Sequence, residues 1–253
     1  MLIKRSDVHP TAFQIQSTPP NLPLIRGGEV GCKINMTMRF TFITIFPGMV
    51  NDFCKEGLLE KALRTGKIKL QTINPRDFTI DSHRTVDDLP YGGGKAGMIM
   101  KIEPLVAAIR KAVGGKKKSD TLIVLLAPSK KIFSQKMAKD WSKKYQHIVL
   151  ICGRYEGVDA RIEKYVDVKI SIGEFVIMGG ESAGLVILEA VGRLLPDVIG
   201  NEVSLEEESY GTKFQLEYPH YTRPEVFEGK RVPKVLLSGN HQKIADWRKA
   251  HSK

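Results

Sequence analysis

The chain has 253 residues, which at roughly 100–200 residues per domain suits one large domain, or a large one with a small companion. Lys and Arg total 39 against 28 Asp and Glu, a net charge of +11; this favours a polyanionic partner through phosphate contacts and counterion release, although charge alone serves a merely soluble basic protein equally well. No apolar run approaches the ~20 residues of a membrane span, and Cys32, Cys54 and Cys152 are too few and too widely spaced for a disulfide framework or a cysteine zinc site, which suits a reducing cytoplasm.

Residues 1–37 hold four prolines and no sustained period. They read as a disordered tail, or as an extension ahead of a true start at Met36 or Met38. Phe40–Phe46 is β-branched and aromatic and reads as a buried strand stopped by Pro47-Gly48. Val50–Thr65 carries Phe53, Leu58, Leu59, Ala62 and Leu63 at helical spacing. Ile68–Ile73 is a second strand, and Asp77–Gly97 is loop-like. Glu103–Val113 reads as a helix and 114–118 as an exposed turn. Thr121–Ala127 and His147–Cys152 are continuous apolar runs, hence central strands. Between them Ser134–Lys144 is a helix with Ser134 as its N-cap. Val158–Tyr165 is a short helix, Val168–Ile172 and Phe175–Met178 are short apolar pieces around Gly173, and Ser182–Leu194 is an apolar helix. The alternation implies a parallel α/β sheet flanked by helices. The periodicity ends at Pro196; Ile199–Arg223 is turn-rich, and the remainder has room for a few short helices.

Gly92–Gly97 formally matches G-x-G-x-x-G, but no strand is expected before it, so a dinucleotide site is disfavoured against a flexible glycine loop. There is no H-E-x-x-H, Walker A or G-x-S-x-G, and the histidines form no cluster with metal-ligand spacing. Chemistry is better sought in Cys152–Gly157 (CGRYEG) and Ser171–Glu181 (SIGEFVIMGGE). Both come at the carboxyl ends of expected sheet strands, where α/β sheets bind ligands. Any single glycine there is explained by a tight turn. Five in two clusters, with charges between them, point to a backbone-lined site. Ile172, Phe175 and Ile177 can wall an apolar adenosine pocket.

Five motifs together, HRTVDDLPYGGG (His83–Gly94), CGRYEGVDAR (Cys152–Arg161), SIGEFVIMGGE (Ser171–Glu181), PHYTRPEVFEG (Pro219–Gly229) and LLSGNH (Leu236–His241), resemble the bacterial tRNA (guanine-N1)-methyltransferases of the SPOUT class, which modify guanine 37 beside the anticodon. The resemblance runs from about Phe40 to Arg248. It implies an α/β domain with a deep C-terminal trefoil knot over 38–198, a linker over 199–217 and a small helical tRNA-binding domain over 218–253. It also implies a homodimer with each active site shared between subunits. S-adenosylmethionine is expected in three loops. Leu126, Ala127 and Pro128 form the first, and Gly153, Tyr155, Glu156 and Gly157 the second. Ser171, Ile172, Gly173, Glu174, Phe175, Val176 and Ile177, with Gly179, Gly180 and Ala183, form the third. Magnesium assists some relatives, and no dedicated site for it is visible here.

The same resemblance supplies the chemistry. Guanine N1 carries a proton at neutral pH, so a base must remove it, and a cation can stabilise the charge that develops towards O6. The family uses an aspartate and an arginine fifteen residues apart. Arg193 matches the arginine, and Glu208 stands fifteen residues on, in place of the usual aspartate. Without the resemblance, 206–208 reads as a solvated acidic run and Arg193 as a helix-end cation. On the substrate side the resemblance implies His83, Arg84, Asp87, Gly94 and Gly97, with Ser209, His220, Arg223, Asn240 and His241 towards the carboxy terminus. Two alternatives stay open: another SPOUT-type RNA methyltransferase acting on a different base or a ribose 2′-hydroxyl, and a catalytically impaired RNA-binding homologue. A nicotinamide dehydrogenase rests on Gly92–Gly97 alone.

Overall fold

The computed structural model describes residues 37–93, 97–199, 208–210 and 216–252. The tail expected over residues 1–37, except Thr37, and most of the linker expected over 199–217 lie outside the described residues.

Five parallel strands form the central sheet: β1 (Met38–Ile43), β2 (Ile68–Ile73), β5 (Thr121–Leu126), β6 (His147–Cys152) and β7 (Val168–Ile170), in the order β2-β1-β6-β5-β7. The runs at 121–126 and 147–152 are apolar throughout because every residue of both strands is buried, as in a sheet covered on both faces. Alternate residues serve opposite faces. Leu122, Val124, Leu126, Ile148 and Leu150 join one core, with Trp141 from α4 (Gln135–Lys144) and Ile187, Leu188 and Val191 from α5 (Gly180–Gly192). Ile123, Leu125, Val149 and Ile151 join the other, with Leu105, Ala108 and Ile109 from α3 (Ile102–Val113). Two further helices, α1 (Pro47–Phe53) and α2 (Gly57–Arg64), connect β1 to β2.

The expected helix over 50–65 is two. Gly57 has φ +68°, a left-handed conformation that stops one helix and lets the chain start the next at a new angle. Ser134 caps α4, its hydroxyl accepting from the Met137 amide at 3.4 Å. The helix expected over 158–165 is a 3-10 turn, Ala160–Tyr165, capped by Asp159. Inside the expected loop 77–97 lie the end of another such turn (Pro75–Phe78) and the strand β3 (Asp87–Asp88), which pairs antiparallel with β4 (Ile99–Met100). Of the two apolar pieces expected after residue 167, the first is strand only to Ile170. The second, Phe175–Met178, is exposed.

The carboxy-terminal segment is not wholly helical. It opens with a hairpin of β8 (Val226–Phe227) and β9 (Lys230–Arg231), then α6 (Lys234–Leu237) and α7 (His241–His251). No helix among the described residues is long and apolar enough to cross a membrane.

Candidate active site

After β7 the chain turns back along the carboxyl ends of β5 and β6. The Ser171 amide donates to Lys131 carbonyl oxygen at 3.1 Å, and the Phe133 amide to Ser171 carbonyl at 2.8 Å. The Gly180 amide then reaches Gly153 carbonyl at 2.9 Å. The segment is thus bonded to the loops that follow both β5 and β6. The approach at α5 is close: a Cβ on Gly180 would lie 2.7 Å from Cys152 Cα, a backbone atom that cannot swing aside. A Cβ on Gly184, one turn on, would lie 2.6 Å from the Phe42 ring.

These loops enclose one cleft. It is lined by Leu126, Ala127 and Pro128, by Gly153, Tyr155, Glu156 and Gly157, and by Ser171, Ile172, Phe175, Val176, Ile177, Gly179, Gly180 and Ala183. Of the residues expected at the cofactor site, Gly173 and Glu174 do not line it. Gly173 instead accepts the Ser171 hydroxyl on its carbonyl at 2.6 Å, and its missing side chain leaves room for the Phe175 ring. Arg154, Val158, Ile170 and Met178 line the cleft and were not expected there. Phe175, Val176 and Met178 wall its mouth while 56%, 86% and 92% exposed.

A buried ion pair supports the floor. Glu181, in the first turn of α5, is fully buried; it accepts the Thr44 hydroxyl at 2.6 Å and Arg154 Nε at 2.8 Å. Arg154 also donates to Met178 carbonyl at 3.2 Å and lies over the Phe46 ring at 4.6 Å. Its guanidinium fills the space beside Gly179, where a Cβ would fall 2.1 Å from Nε. Arg154 therefore packs against Gly179, the N-cap of α5, while Gly180 rests on the Cys152 and Gly153 backbone. Burial first, then the nearby Glu181 carboxylate, pushes the Cys152 thiol well above its ordinary range. Cys152 is a protonated packing residue and not a nucleophile.

The loop expected on the substrate side lies against the loop after β6, expected to hold cofactor. The Glu156 amide donates to Met98 carbonyl at 3.0 Å, and the Met100 amide to Gly157 carbonyl at 2.9 Å. A Cβ on Gly97 would press on the Glu156 side chain at 3.1 Å. Arg84, with φ +53°, is ion-paired to Asp77. The Asp81 carboxylate accepts the Thr85 amide, at 3.1 Å, and hydroxyl, at 2.9 Å, and these bonds hold it below the usual carboxylate range. His83 is exposed at the tip of this turn. Burial raises the Tyr155 hydroxyl above its ordinary value, and the nearby Asp87 carboxylate adds to the effect. Gly94 lies outside the described residues.

Arg193 and Glu208 meet. Arg193 follows α5 as its C-cap, and its Nη1 lies 2.6 Å from Glu208 Oε2. Gln135, at the start of α4, donates its amide to Glu208 Oε1 at 3.3 Å. The pair does not line the cleft. At 1.5 Å of rise per residue, Arg193 stands about 20 Å along α5 from Gly180. It borders a second cavity, with Phe53, Leu58, Leu59, Val186, Ala190 and Val198.

The carboxy-terminal candidates are likewise not in the cleft. The Ser209 hydroxyl accepts the Glu217 amide at 3.1 Å, and His220 Nε2 lies 3.4 Å from Glu217. Arg223 precedes a cis proline. Asn240 caps α7, its side chain accepting the Lys243 amide at 3.0 Å, and His241 follows as the first helical residue. Beside them Trp247 stacks on His251 at 4.1 Å between ring centres, and Arg248 lies over the Tyr218 ring at 4.9 Å. Among the described residues no group of three His, Cys, Asp or Glu side chains is placed to hold a metal ion.

Comparison with known proteins gives the family. A family model described as tRNA (Guanine-1)-methyltransferase TrmD matches residues 38–253. The tRNA (guanine-N(1)-)-methyltransferase of Dictyoglomus turgidum is 49% identical over 212 residues, covering 84% of each chain. That of Carboxydothermus hydrogenoformans is 48% identical over 216 residues, covering 85% of this chain and 83% of its own. The crystal structure of the tRNA (m1G37) methyltransferase from Aquifex aeolicus superposes with a TM-score of 0.70 at 37% identity, over 85% of this chain and 89% of that one. Family match, identity and fold together show that the chain belongs to the tRNA (guanine-N1)-methyltransferase family.

Proposed function

We propose that this protein transfers a methyl group from S-adenosylmethionine to N1 of guanine 37 in tRNA, in the cytoplasm, with Glu208 as base and Arg193 stabilising O6. The observation that carries the reading is the 2.6 Å contact between Arg193 and Glu208. N1–H and O6 are neighbours on one edge of guanine. A carboxylate and a guanidinium side by side offer that edge an acceptor and a donor together. Arg193 and Gln135 both donate to the Glu208 carboxylate. Guanine exchanges its N1–H for one of these donors, Glu208 removes the proton, and Arg193 follows the charge to O6.

The cleft fits the cofactor. Ile172, Phe175 and Ile177 offer apolar walls, and the loops at 153–157 and 171–180 bring backbone groups close because glycines leave the room. S-adenosylmethionine supplies an electrophilic methyl on its sulfonium. The bonds that tie the segment after β7 to the loops after β5 and β6 support the deep trefoil knot implied for 38–198. The reading assigns magnesium no protein ligand.

The cleft and the Arg193–Glu208 pair belong to one reaction only if two chains combine them, which supports a homodimer with shared sites. Met49, Phe53, Leu58 and Val186 leave an apolar face exposed beside the cavity that Arg193 borders, the kind of patch that marks an interface. The segment from 218 onward, with its basic and aromatic side chains, serves as the tRNA-binding domain in this reading, joined by the linker over 199–217.

Glu208→Gln tests the assignment. It keeps size and removes the base, so single-turnover methylation of a guanine-37 transcript should fall by about 10²–10⁴-fold with cofactor binding intact. A rate near wild type overturns the assignment and favours ribose methylation, which needs no such pair.

A further inference from the structure

Arg76 sits on the turn Pro75–Phe78, 79 residues from Tyr155, with which it shares a bond. Its backbone is fixed: Pro75 is buried, and Asn74 accepts the Arg76 amide at 3.0 Å. Its guanidinium spans two loops. Nη2 donates to the Tyr155 hydroxyl at 3.3 Å, and Nη1 donates to Arg84 carbonyl at 2.9 Å. Arg84 answers, with Nε donating to Arg76 carbonyl at 3.2 Å. The Asp87 carboxylate stands near the same hydroxyl and helps raise it.

Tyr155 and Arg84 both hold left-handed backbones, φ +59° and +53°. Non-glycine residues keep such a conformation when their surroundings over-determine it. One of the two lines the cofactor cleft and the other carries the substrate-side loop. Arg76 is bonded to both.

We propose that Arg76 is a positioning residue that couples the two loops: a ligand settling against Tyr155 fixes that hydroxyl, and Arg76 passes the ordering through Arg84 to the loop that receives RNA. This rests on the methyl-transfer reading above. Arginine suits the task because its planar fork donates in two directions at once, which a lysine ammonium on a flexible stem does not reproduce.

Coupling of this kind is reciprocal, so it is measured as a ratio. The full-length chain is titrated with S-adenosylhomocysteine alone and with a guanine-37 tRNA transcript present, and with the transcript alone and with S-adenosylhomocysteine present. In the wild type each ligand should tighten the other by the same factor, within the range of about 5–150-fold usual for linked sites. In Arg76→Ala and Arg76→Lys that factor should fall to within about twofold of unity while S-adenosylhomocysteine alone binds within about threefold of wild type. Tyr155→Phe keeps the ring on the cleft, removes only the hydroxyl, and should lose the coupling too. An unchanged factor in Arg76→Lys and Tyr155→Phe overturns the proposal, as does a wild-type factor of one. So does a common fall of Tm and both separate affinities in the Arg76 variants while Tyr155→Phe keeps full coupling, which marks a merely structural arginine. A wild type that binds neither ligand fails differently, because it overturns the methyl-transfer reading itself.

Discussion

Glu208 reaches one methylene farther than the aspartate usual in the family, and the Gln135 amide on its second oxygen holds the longer side chain beside Arg193. The pairing depends on residues far apart in sequence, so the run 206–208 gave no sign of it beyond the fifteen-residue spacing. Arg154 and Glu181 were more legible. Both stand inside glycine-rich apolar motifs, where a charge needs a partner, yet only the fold shows that they partner each other. Arg76 lies in an ordinary-looking turn, and nothing local announces its reach. A different residue sets a pH limit. His147 opens β6 and meets the Thr41 hydroxyl at 2.9 Å. Burial, and then the charge of Arg39, push its pKa from 6.5 down to about 4, while Asp120 pulls the other way. The unfolded chain takes up this proton below about pH 6.5 and the folded chain only near 4. Between those values the unfolded state binds more protons, so stability falls as pH falls, by on the order of 2–3 kcal/mol across the window. Urea midpoints at pH 7 and pH 4.5 should show that drop in the wild type, and His147→Gln should remove most of this part of it. Equal slopes in the two proteins contradict it.

Among the elements, the central strands were readable because burial on both faces leaves an unbroken apolar run. The α4 cap was readable because Ser134 precedes the helical period. Three features escaped for physical reasons. Gly57 breaks a periodic stretch by its backbone conformation, which leaves the apolar spacing intact. Phe175–Met178 is apolar as the wall of a cleft and is not a strand. The hairpin Val226–Arg231 is too short to show alternation. Helix α5 joins the two candidate sites, since residues of its first turn line the cleft and its C-cap is Arg193. Gly180→Ala sets a methyl against Cys152 Cα at 2.7 Å and Gly153 N at 3.0 Å. Such overpacking costs about 1–3 kcal/mol, and the clash lifts α5 off β6. Thermal unfolding should move down by several degrees and calorimetric affinity for S-adenosylmethionine should fall at least tenfold; unchanged affinity contradicts the close-approach account.

At the scale of the whole molecule, the sheet and its flanking helices follow from alternation of strands and helices, whereas the proposed knot and shared site would leave no periodic trace and are implied by the resemblance alone. The separation along α5 gives the sharing a direct consequence. Purified mixed dimers of a Gly180→Ala chain and a Glu208→Gln chain hold one site with intact cleft and intact base if sites are shared, and should regain about half the wild-type rate. With sites built within single chains they regain none. The function itself is tested most directly by locating the methyl group. Wild-type protein, labelled S-adenosylmethionine and paired tRNA transcripts carrying guanine or adenine at position 37 should place label at N1 of guanine 37 in the first transcript and leave the second unlabelled. Label on a ribose 2′-oxygen, at another base, or equally in both transcripts would contradict the account.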